Sequence, residues 1–253
     1  LPYDRISPTP SVAARRCAGL ARIARYEAAQ GPLLVVTTAG SLVQRVPPLE
    51  TLRRASFSIR KGQSVRAAEL TDYLAFNGYV RSSTVREQGE YAIRGGIIDI
   101  FPPTALEPYR LDFFGDTVET LRTFDTETQR STGNAEGVTF APVSEILFDD
   151  KVLSGFRDRF LETFGPPSGD QMYESARASI RRQGVEAWLP LFHSHLDTLF
   201  GYVGEGALWG LSALSSEAAH ERLTQASDYH MARLDAGGGD VRTAKVLPPE
   251  RLY

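Results

Sequence analysis

The stretch Gly89-Glu-Tyr-Ala-Ile-Arg-Gly-Gly-Ile-Ile-Asp-Ile-Phe101, followed by Pro108-Tyr-Arg-Leu-Asp-Phe-Phe-Gly-Asp-Thr-Val-Glu-Thr-Leu-Arg-Thr-Phe-Asp125, decides the fold of this chain. It reads as short strands joined by tight turns. Successive side chains of a strand point to opposite faces. Tyr109, Leu111 and Phe113 therefore share one face and suit a core; Arg110, Asp112 and Phe114 share the other. Gly115-Asp116 is a good two-residue hairpin turn, with glycine supplying the positive φ. That turn pairs Phe114 with Thr117 and Asp112 with Glu119. Arg94, before Gly95-Gly96, points outward or sits at a bulge. Strict alternation puts Arg122 on the inner face, where an arginine has no use, so a bulge is expected after Thr120. An exposed Phe beside arginines is the composition of a protein-recognition patch. The competing reading is intrachain pairing of Arg110 with Asp112 or Glu119.

Outward from this core, Phe57-Ser-Ile-Arg60 reads as a strand and 65–76 as a helix capped by Ser64 and ended by Asn77-Gly78. Strands are expected at 79–85, 91–101, 108–114 and 117–124. One helix on a run of adjacent strands is a small α+β domain with a mostly antiparallel sheet. Before it, 11–30 reads as a helix with Ser11 as N-cap, Leu33–Thr38 as a buried strand and 41–46 as a short helix. That rhythm belongs to an α/β layer with parallel pairing. After it, helices are expected at 152–164, 171–183 and 215–234, with a strand-like piece at 206–212. The fold class is thus multidomain, α/β and α+β: residues 1–55, 56–142 and 143–253, the middle one inserted between flanking α/β domains.

Charge divides unevenly. Residues 1–55 carry net +5, 56–142 net −3 and 143–253 net −5, so bulk charge does not mark the middle domain as a phosphate-binding surface. Cys17 is the single cysteine, which excludes an intramolecular disulfide and a cysteine-based zinc site. No apolar run approaches the ~20 residues of a membrane span. A cytoplasmic location without membrane contact is the expectation, and the abrupt Leu1-Pro-Tyr-Asp opening suggests a fragment.

The motif of residues 89–102, Tyr109-Arg-Leu-Asp-Phe-Phe-Gly-Asp116 and Phe124-Asp-Thr-Glu-Thr-Gln-Arg130 resemble the bacterial transcription-repair coupling factor (Mfd) family. Leu1-Pro-Tyr-Asp4, Val43-Gln-Arg-Val-Pro-Pro48 and Gly184-Val-Glu-Ala-Trp-Leu-Pro-Leu-Phe192 agree in order, so the resemblance covers nearly the whole chain. A more distant similarity is to the excision-repair protein UvrB. The resemblance implies the N-terminal UvrB-like region of such a factor: degenerate helicase-like domains at 1–55 and 143–253, and a UvrA-recruiting domain at 56–142. By motif position, the UvrA-contacting residues fall on Arg94, Arg110 and Phe114. It further implies RNA polymerase, double-stranded DNA, ATP and Mg²⁺ as partners and cofactors of domains beyond this chain. An intramolecular contact with the C-terminal domain is implied as well.

Residue patterns for catalysis are thin. No Gly-x4-Gly-Lys-Ser/Thr loop occurs. The segment corresponding to UvrB's acidic Mg²⁺-binding strand is Ala207-Leu-Trp-Gly-Leu-Ser-Ala-Leu214, without an acid, and residues 3–12 are too short for UvrB's DNA-gripping hairpin. His193-Ser-His195 with Asp197 is a weak metal-ligand set, and Arg15, Arg16, Arg22 and Arg25 make a basic helix face. The expectation is a non-catalytic adaptor with no metal or cofactor in this fragment. The alternative is a piece of a UvrB-type, DNA-binding, ATP-dependent excision-repair subunit; a third reading is a regulatory domain whose patch serves only self-contact.

Overall fold

A computed structural model describes residue 3, residues 7–27 and residues 31–253. The chain divides into two compact units: Pro8–Arg25 with Glu50–Leu147, and Leu1–Ser7 with Tyr26–Leu49 and Phe148–Tyr253. Secondary structure is mixed, with sheets that are mostly antiparallel.

The first unit holds eight strands: β1 (Phe57–Arg60), β2 (Val80–Arg81), β3 (Glu90–Arg94), β4 (Ile97–Ile100), β5 (Tyr109–Phe114), β6 (Thr117–Phe124), β7 (Ser131–Asn134) and β8 (Gly137–Phe140). β1 pairs with β8, and the other six run in sequence order as one sheet. Only β2–β3 is parallel among the described residues. The inner face carries Tyr91, Ile98, Ile100, Leu111, Val118 and Leu121. These pack with Leu70 and Leu74 of the helix Ala67–Phe76, and with Ala14 of the helix Pro10–Ala24. Two phenols tie the layer to the backbone: Tyr73 Oη donates to the Ala55 carbonyl at 2.6 Å, and Tyr79 Oη to the Ala141 carbonyl at 2.8 Å.

Several local expectations need correction. The helix over 65–76 begins at Ala67 with Arg66, not Ser64, at the cap position; Ser64 instead bridges to Thr117. The first helix begins at Pro10, whose missing N–H costs nothing at that position, so Ser11 lies inside it. It ends at Ala24, and residues 28–30 of the expected helix lie outside the described residues, as do three of the residues 3–12 and most of Leu1-Pro-Tyr-Asp4. Strand 91–101 is two strands, because Gly95-Gly96 turns the chain back on itself.

The second unit is built from helices. Asp149 caps Asp150–Phe164, accepting from the Val152 amide at 2.7 Å. Leu153, Phe156, Phe160 and Phe164 recur at helical spacing and are buried together. Phe156 stacks on Phe192 at 4.4 Å between ring centroids, with Tyr173 and Trp188 beside it. The Trp188 indole N–H donates to the Lys245 carbonyl at 3.0 Å. The helix expected over 171–183 stops at Arg177, and the last long helix runs Ser215–Ala236.

The expected strands at 33–38 and 206–212 do not form: both segments are irregular, with Leu34, Val36, Leu208 and Leu211 exposed. A strand requires a neighbouring backbone to pair with, and both sheets among the described residues lie in the other unit.

Candidate recognition face

The outer face of the six-stranded sheet is where the sequence pattern placed its odd residues. Cross-strand register aligns Ala92, Asp99, Arg110 and Arg122 in one row, and Arg94, Ile97, Asp112 and Thr120 in the next. Phe114 pairs with Thr117 at the hairpin end, as the turn chemistry requires, and Gly115 takes φ +61°. Phe114 is 79% exposed.

The pairing of Asp112 with Glu119 is overturned. Asp112 faces Thr120 and Phe113 faces Val118, so Glu119 is the extra residue of a β-bulge. The bulge lies nearer the turn than the alternation suggested. It resets the alternation, keeping Leu121 inside and turning Arg122 out, opposite Arg110.

Asp99 organises this face. It is fully buried, and both arginines converge on it. Arg110 binds in two-pronged fashion, Nε to Oδ1 at 2.7 Å and Nη2 to Oδ2 at 3.0 Å. Arg94 donates through Nη2 to Oδ2. The remaining Arg110 arm donates to the Gln129 carbonyl at 3.1 Å, and its guanidinium lies 4.6 Å from the Phe124 ring centre. Phe124, Val85 and Ala92, with Phe101, form a small apolar cluster of their own. Hydrogen bonding to Asp99 holds the Arg110 pKa above its already high ordinary value, against the opposing effect of burial. Arg110 is thus 18% exposed and bound on every arm, whereas Arg94 is 46% exposed. Neither Asp112 nor Glu119 is the partner of Arg110. The missed residue is Asp99, and its signal was available: flanked by Ile98 and Ile100, it must face away from the core they enter.

Residues singled out elsewhere do other things. His195 Nε2 lies 3.6 Å from Asp197 Oδ1, while Asp197 Oδ2 accepts from the Leu49 amide at 2.8 Å. Arg16 pairs with Glu145 at 2.8 Å, tying its helix to the same unit as the sheet.

Residues 57–146 match the family described as the UvrB interaction domain. Over its whole length the chain is 32% identical to the transcription-repair-coupling factor of Haemophilus influenzae and 32% identical to that of Escherichia coli K12. The corresponding factor of Rickettsia bellii is 30% identical, again across the whole chain. The chain belongs to the transcription-repair-coupling factor family. It spans about a fifth of the length of these coupling factors, 21–22% of each. The match to the UvrB interaction domain begins at the first residue of β1 and contains all eight strands, so the outer face with Asp99, its two arginines and Phe114 lies wholly inside it.

Proposed function

We propose that the chain is a non-catalytic adaptor of a transcription-repair coupling factor, and that its middle domain recruits UvrA to lesions where RNA polymerase has stalled. The observation that carries this reading is Phe114: a large apolar ring, 79% exposed at the end of a rigid hairpin, inside the matched domain. Burying such a ring against a partner contributes about 1.5–3 kcal/mol, the size of an interface anchor. Arg94 keeps donors for a partner carboxylate while Asp99 holds one end of its guanidinium through Nη2. Arg110 acts from below, holding Asp99 and supporting the strand that carries Phe114. In this reading residues 1–55 and 143–253 are N-terminal UvrB-like flanking domains of degenerate helicase type around the 56–142 insert. ATP, Mg²⁺, DNA and polymerase contacts then belong to other parts of the full factor.

The test is calorimetric binding of the 253-residue chain to purified UvrA, for wild type, Phe114→Ala and Arg94→Ala. Each substitution is expected to weaken binding at least ~tenfold, about 1.4 kcal/mol, with unchanged circular dichroism. Arg110→Glu is unsuited to this purpose, because it sets a second carboxylate against buried Asp99 and so perturbs folding. No binding by the folded wild-type chain sinks the proposal; undiminished binding by Phe114→Ala removes this face from it.

A further inference from the structure

Resting on that reading, we infer that Arg122 is a further partner-contacting residue, and that together with Arg94 it offers two arginines, on the sheet face that carries Phe114, to an acidic surface of the partner. Three observations carry it. The bulge at Glu119 turns Arg122 onto the outer face, where it is exposed. Among the described residues no carboxylate lies within 4.0 Å of its guanidinium, and its neighbours in the row and along its strand include the neutral Asn134 and Thr120. Its direct cross-strand neighbour is another arginine, Arg110.

Like charges directly opposite each other on a sheet are unfavourable. Asp99 moderates the pairing, but its one carboxylate is shared by Arg94 and Arg110, so these three groups carry a net charge of +1, offset by Asp112 in the next row, before Arg122 is added. Arg122 therefore adds a positive charge that no carboxylate of these two rows compensates, where the free protein gains nothing from it. A partner presenting carboxylates relieves this repulsion on binding and gains a bidentate contact. Arg110, whose arms are all engaged inside the chain, is poorly placed for that role.

The experiment compares wild type, Arg122→Ala, Arg122→Glu and Phe114→Ala for binding of the same chain to UvrA at low and high salt. Arg60→Glu serves as a control, being exposed on β1 outside the six-stranded sheet. Thermal melting of each variant is followed in parallel. Arg122→Ala is expected to weaken binding about fivefold or more at low salt, Arg122→Glu more strongly, with both losses shrinking as salt rises. Arg60→Glu should bind within about twofold of wild type, and the melting temperatures of the Arg122 variants should not fall. If Phe114→Ala weakens binding while Arg122→Glu binds like wild type, the recruiting reading stands and this inference falls. An equal loss in Arg60→Glu reduces the effect to bulk charge and also overturns it. Failure of the wild type to bind removes both together.

Discussion

Replacing Arg110 should destabilise the first unit far more than replacing Arg94, although both bind the same carboxylate. Arg110→Met keeps an apolar stem over Phe124 but deletes both hydrogen bonds to Asp99, 2.7 and 3.0 Å, and the 3.1 Å bond to the Gln129 carbonyl. Asp99 is fully buried and cannot turn to water. Removing one partner of a buried ion pair costs about 3–5 kcal/mol. Arg94 remains as a counterion, so the lower end, about 3 kcal/mol, is expected. Arg94→Met leaves the two-pronged partner in place and removes a half-exposed donor, for a cost of about 1 kcal/mol. Adding Asp99→Leu to Arg110→Met should recover most of the loss, because the buried charge goes with its partner. Urea unfolding followed by far-ultraviolet circular dichroism measures each step. Tryptophan fluorescence supplies an internal control, since Trp188 and Trp209, the two tryptophans of the chain, both lie in the second unit. Equal losses for the two single arginine variants, or a double variant no more stable than Arg110→Met, would refute the reasoning.

In the second unit, Phe156→Ala should cost about 3–5 kcal/mol in fluorescence-monitored unfolding, because Phe156 is fully buried and stacked on Phe192. Asp149→Ala removes the cap of the same helix and should cost about 1 kcal/mol in the same assay. The turn after β6 should show a distinct acid response. Hydrogen bonds from the Thr128 amide and hydroxyl, with a further one from the Glu127 amide, hold the Asp125 carboxylate below its ordinary value of 3.8. A depressed folded pKa means the turn's contribution is complete above 3.8 and is lost as pH falls through the lower folded value. An NMR titration of the Thr128 amide should therefore show a transition below that pH; a midpoint at or above it contradicts the hydrogen-bonded turn.

The middle domain was legible because its strands alternate cleanly and its turns carry glycine where the chain reverses. Phe114 could be set on the outer face from spacing alone, four residues from Arg110 and one before the turn. Spacing also turns Asp99 outward, but that it meets Arg110 could not be read, because the register of β4 against β5 is fixed by pairing across the sheet, not by sequence neighbours. The awkward placement of Arg122 implies a bulge, but its position depends on whether Glu119 or Thr120 stands opposite Asp112. Residues 33–38 and 206–212 have strand composition, and composition is only half of a strand. The other half is a partner backbone, which a local reading cannot supply. β7, with Ser131-Thr-Gly-Asn134 fully exposed, escaped notice for the opposite reason: pairing to β6 makes it a strand although it has no apolar face.

The extra residue at Glu119 also says how this hairpin can tolerate changes in length. Deleting Glu119 straightens the ladder and leaves Thr120 opposite Asp112, Leu121 opposite Leu111 and Arg122 opposite Arg110. Deleting Thr120 straightens it equally but sets Glu119 against Asp112, two like charges face to face. Deleting a residue within 109–111 instead carries the remaining start of β5 over to the wrong side of the sheet. A gene encoding this domain can therefore shed one codon at the bulge at little cost, while the same loss a few codons upstream breaks the row that holds Asp99.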